Sequence, residues 1–195
     1  MRTLPKHALI GNIRAIFMMA FFTLVWASCI AWGFGWNNSF AIACITFFFA
    51  YSIWLCVEGI KVNRAVRALP DSPVTEYDKR IRKRFILNFV IEIILIMASS
   101  TILANNVIGN SNYIVPVMAV IVGAHFIYLG GLFKMHIHII LGIIMIAVAV
   151  ASIIFIVHGK WINQSIGICA LATTICVTVM NTYLLYFIKA QLKKQ

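Results

Sequence analysis

The chain has 195 residues, 63% of them hydrophobic and 11% charged, with a formal net charge of +11, and its mean hydropathy is +0.97. These values exclude an ordinary soluble domain and describe an integral membrane protein. Lys and Arg gather at the ends of apolar runs instead of forming a soluble basic face, which argues against a nucleic-acid partner and for membrane orientation.

The amino terminus, residues 1–11, is short and basic. The apolar run behind it ends in Trp32, Gly33, Phe34, Gly35 and Trp36, with no small-residue cleavage site, so a retained first helix is expected. Apolar runs follow at 15–34, 40–57, 85–104, 113–133, 137–157 and 162–188. Each is long enough, at about 1.5 Å per residue, to cross a hydrocarbon core of about 30 Å. None shows the in/out alternation of a membrane strand. The expected fold is all-α, one integral membrane bundle of six transmembrane helices over residues 1–195.

The one substantial connection is the loop 61–84. Pro70-Asp71-Ser72-Pro73 reads as a turn, with Ser72 capping the third helix, Pro73 at its first position, and Glu76 and Asp78 near its positive end. The basic cluster 79–84 abuts a span and reads as a topology signal rather than a headgroup site. Residues 134–136 are barely a turn, which makes helices four and five an antiparallel hairpin. With both termini in the cytoplasm, every Lys and Arg except Lys160 falls on the cytoplasmic side. The connections 35–39 and 105–112 then lie outside, with Trp36, Tyr113 and Trp161 at the outer interface.

Counting along the helices, Glu92 lies about 12 Å beyond Arg84, His125 about 13 Å before Lys134, and Asn181 about 12 Å before Lys189. These three share one expected layer near the membrane middle. At 100° per residue Asn88, Glu92, Ser99 and Asn106 form a stripe that should face the bundle interior, as should Thr174 and Asn181 on helix six. Ala119, Gly123 and Gly130 offer a small-residue surface for a neighbouring helix. The candidate binding residues are therefore Glu92, His125, Asn181 and Asn88. Two readings are open for Glu92 and His125: a proton-responsive pair, or a hydrogen bond that fixes helix register.

Other polar residues carry less chemistry. His136 and His138 are two apart, which on a helix splays the rings by about 200°, so they read as interfacial residues and not as a metal pair. Glu58 reads as an interfacial acid partnered by Lys61. The five cysteines lie in apolar runs without paired spacing, which suggests neither disulfides nor zinc. No serine-hydrolase elbow, zinc-protease pair or phosphate loop is present. No catalytic residue, metal or cofactor is expected.

Residues 84–92, R-F-I-L-N-F-V-I-E, residues 113–126, Y-I-V-P-V-M-A-V-I-V-G-A-H-F, then L-F-K and Gly142 resemble a family of small bacterial inner-membrane proteins. These carry a deep Glu on one helix and a P-V-x-x-x-I-V-G-x-H-F motif on the next. Glu92, Pro116, Gly123, His125, Phe126 and Phe133 match, while Ala124, Tyr128 and Gly130 depart from it. The resemblance covers about a third of the chain and implies a bacterial inner membrane, but no reaction. The expected function is binding or transport of a small solute, ion or lipid through a midplane polar pocket, with membrane lipids as partners. The alternative is a non-transporting scaffold or accessory subunit whose polar layer is structural.

Overall fold

The computed structural model describes residues 4–71, 73–104 and 111–194. Its helices are α1 (Lys6–Phe34), α2 (Ser39–Arg67), α3 (Glu76–Ala104), α4 (Ile114–Phe133), α5 (His136–Val157) and α6 (Ile162–Leu192). All six are long and apolar enough to cross a membrane, and the protein is a multi-pass helical bundle. Several helices outrun their apolar segments: α1 begins at Lys6 and α2 continues to Arg67. The apolar run measures only the hydrocarbon thickness, whereas the hydrogen-bonded backbone continues through Lys, Arg and Glu, which are good helix formers.

The entry to α3 differs from the expected one. Pro73 precedes the helix, and the cap is a reciprocal pair: the Thr75 hydroxyl accepts from the Asp78 N–H at 3.2 Å, and the Asp78 carboxylate accepts from the Thr75 N–H at 2.9 Å. A residue that can satisfy two orphan amide groups with its partner three residues on outcompetes a lone hydroxyl followed by proline. Ser72 lies outside the described residues, as do Asn106 and most of the 105–112 connection.

Helix α6 runs through the middle of the bundle, packed against α1 and α5 and touching α2 and α4, while α1–α2 and α4–α5 form two hairpins. Polar contacts stitch these seams. Tyr51 on α2 donates to the Thr178 carbonyl on α6 at 3.0 Å, Ser52 donates to the Ala20 carbonyl on α1, and Ser152 on α5 donates to the Ser165 carbonyl on α6. At the end that carries both termini, Glu58 receives Lys61 and also Lys189 of α6, each at 2.6 Å. The second partner comes from a helix far away in sequence.

Glycine sets the two closest crossings. A Cβ on Gly33 of α1 would strike the Gly167 backbone of α6, and one on Gly142 of α5 would lie 2.5 Å from the Gly123 carbonyl of α4. Helix association in lipid depends on such close packing, because the surrounding chains are as apolar as the side chains themselves. Helix α3 stands apart: it packs substantially only on α4 and the short turn Ser111–Tyr113. Gly123→Ala should therefore destabilise the detergent-solubilised protein by about 1–3 kcal/mol. Gly131, which has open space around it, should tolerate Ala or gain up to about 1 kcal/mol from helix propensity. Unfolding of the two variants measured side by side checks this, and equal stability would refute the crossing.

Candidate functional site

Between α1, α3, α4 and α6 lies a cavity of about 460 Å³ that opens at the end of the bundle carrying the termini. That size falls in the range of small-molecule sites. The helices position its lining by simple periodicity. Gly11, Asn12, Ala15, Met18 and Phe22 of α1 recur at three- and four-residue spacing and face it from one side. Phe85, Phe89 and Glu92 of α3 face it from the other at the same spacing, with Val122, His125, Phe126 and Leu129 of α4 behind. Helix α6 contributes Val177, Leu184 and Phe187, none of them polar.

Glu92 and His125 meet in the wall. Glu92 Oε2 lies 3.0 Å from His125 Nδ1, and each residue is only 8% exposed. Asn88, one turn before Glu92 on α3, brings its amide nitrogen to 2.7 Å from the same His125 Nδ1. One ring nitrogen thus faces two partners that want opposite things of it. With a proton on Nδ1 it donates to the Glu92 carboxylate, and the Asn88 amide must turn its oxygen inward or let go. Without that proton Nδ1 accepts from the Asn88 N–H and Glu92 loses its donor. The arrangement can exchange one hydrogen bond for the other as a proton arrives or leaves.

His138 also belongs to this site. It sits in the first turn of α5, is 6% exposed, lines the cavity, and its Nδ1 has no hydrogen-bond partner among the described residues. The Phe126 ring lies against both imidazoles, 6.4 Å from His125 and 6.0 Å from His138 between centroids. The expectation of an interfacial His138 is corrected: the tight turn folds α5 back on α4, where Gly130 lets the His138 Cβ approach closely. His136 remains exposed. The two-residue spacing correctly put the rings on opposite faces, but which face was interior depended on the hairpin.

Asn181 does not join the layer. It is fully buried in the seam between α6 and α1, with its amide nitrogen 3.4 Å from the Thr23 hydroxyl, and it does not line the cavity. Equal depth does not imply a shared face. At the mouth His7 Nε2 lies 3.2 Å from Asp78 Oδ2, joining α1 to α3, and Lys6 holds the α2–α3 connection through the Leu69 carbonyl at 2.8 Å and Asp71 at 2.9 Å. Arg82 and Lys134 complete the rim.

These features define a multi-pass membrane protein with a buried acid–imidazole–amide cluster in the wall of a solute-sized cavity. No protein-family model, curated protein or solved structure matches the chain, so its chemistry has to be read from these residues.

The contact predicts coupling. Glu92→Leu and His125→Leu should each destabilise the solubilised protein by about 1–3 kcal/mol, because each leaves a buried partner unsatisfied. The double variant should cost less than the sum by about 1 kcal/mol. Strict additivity in that cycle would show that the two side chains do not depend on one another.

Proposed function

We propose that this protein binds a small solute in the cavity and carries it across or out of the bilayer, with the Glu92–His125–Asn88 cluster exchanging a proton as the cavity fills and empties. The observation that carries this reading is that the cavity reaches the buried pair. In a filled core the same pair would only fix helix register. Beside a void, water or solute can compete for either partner, and the bond between α3 and α4 responds to what enters.

The groups that face the pair are few. On α3 they are Asn88 and the carboxylate itself; from α4 comes His125, from α5 His138, from α1 Asn12, and from α6 only apolar side chains. His7, Asp78, Arg82 and Lys134 lie further out, at the rim. The titratable groups at depth are thus Glu92, His125 and His138.

A thiol placed at Val122, in the deep wall, and another at Gly11, in the outer wall, provide the test in a background without native cysteines. The ratio of their labelling rates by a charged reagent should change severalfold between about pH 5 and pH 8. Glu92→Gln should flatten that dependence. A ratio indifferent to pH, or unchanged by Glu92→Gln, would leave the cluster a structural bond and favour the scaffold reading.

The proposal includes an address: a bacterial inner membrane, with both termini and the α2–α3 connection in the cytoplasm. It is supported by the one-sided placement of Lys and Arg and by the resemblance described above. Labelling from outside should mark Lys160→Cys and spare Arg67→Cys, both at exposed positions. The reverse pattern would invert the topology.

A further inference from the structure

The cavity wall changes character along its length. At the rim, Arg82 and Lys134 are exposed cations with no ionic partner among the described residues, whereas the Asp78 carboxylate is engaged by Thr75 and His7. The Phe85–Phe133 ring contact, at 6.2 Å, ties α3 to α4 close in sequence to both cations. Inward, the lining is Met18, Phe22, Phe89, Phe126 and Leu129, ending near Trp26. From His7 to Trp26 the α1 wall spans about 28 Å of helix axis. The cavity is long, apolar and capped by positive charge.

The wall just inside the rim carries one more polar group. His138, buried and with no partner for its Nδ1 among the described residues, lines the cavity about one turn inside Lys134. Lys134 closes α4 as its left-handed C-cap, φ 56°, with its backbone N–H on the Gly130 carbonyl. Helices α1 and α3 both line the cavity without packing closely on one another along their length.

We propose that the occupant is a single-chain anionic amphiphile. Its phosphate or carboxylate head sits between Arg82 and Lys134, and its hydrocarbon chain lies along the α1 and α4 wall, having entered from the bilayer between α1 and α3. This rests on the reading of the cavity as a solute site and names the solute's class. A lipophilic cation fits less well: the buried carboxylate is already paired with His125, and the rim is positive. A hydrophilic solute would leave the aromatic wall facing polar groups.

The experiment is native mass spectrometry of the full chain in a neutral detergent with dodecyl phosphate, inorganic phosphate and dodecyltrimethylammonium. Dodecyl phosphate should be retained one to one and the other two should not. Gly11→Phe, which adds a ring where a Cβ meets nothing within 4 Å, should abolish retention. Arg82→Ala and Lys134→Gly should each weaken it about tenfold, the size of one charge-assisted hydrogen bond. Lys134→Gly relieves the left-handed backbone, so its loss of binding cannot be laid to misfolding.

Retention of inorganic phosphate alone would reduce the site to a headgroup contact and overturn the proposal. Equal retention of the cationic amphiphile, blocked by Gly11→Phe, would overturn the ligand class while leaving the cavity as a solute site. Retention of dodecyl phosphate undiminished in Gly11→Phe would place it elsewhere on the protein and overturn the proposal outright. Retention as expected, with pH-independent access at Val122→Cys, would keep the amphiphile site and remove the proton exchange.

Discussion

A carboxylate placed in the middle of a membrane must find a partner, and that requirement governs where α3 goes. A charged side chain at the bilayer centre costs about 3 kcal/mol even on the gentler insertion scales. Glu92 meets the requirement by contact with His125 of α4, reinforced by Asn88 one turn away. Because α3 packs substantially on α4 and little else among the helices, this cluster, the Phe85–Phe133 contact and the His7–Asp78 pair at the mouth tie its side chains to the bundle. Holding α3 to α4 leaves it away from α1, and the space between them is the cavity.

The other five helices are joined differently. Their crossings rely on glycine pairs that let backbones touch, and on hydroxyl-to-carbonyl bonds that are satisfied within the protein. One ion pair, Glu58 with Lys189, joins α2 to α6 at the end of this frame. The buried carboxylate, by contrast, sits on the one helix that the frame does not clasp. A bond that can switch between a carboxylate and an amide matters most where little else fixes the helix.

The rim adds a second asymmetry. Lys6, His7, Asp71 and Asp78 pair with one another and with backbone, which ties the α2–α3 connection across the end of α1. Arg82 and Lys134 are left out of that network. Cations that abut a span do serve topology, but topology does not require them to line a cavity.

Much of this was legible in the chain itself. Hydrophobic run length is a direct readout of bilayer thickness, so the six-helix membrane class and the rough helix positions follow without any tertiary information. The helical period also put Asn88 and Glu92 on one face, and depth counting put His125 level with them. What the sequence could not decide was rotation and neighbourhood. Asn181 shares the depth of Glu92 but turns towards Thr23, Glu58 reaches Lys189 across the bundle as well as Lys61 nearby, and His138 is interior only because Gly130 admits it. Nor does any sequence pattern announce a cavity, since a void is the absence of contact between helices far apart in the chain. Depth is a one-dimensional quantity written in residue count, whereas the facing of each helix and the gap between α1 and α3 arise from close packing, which only the assembled bundle determines.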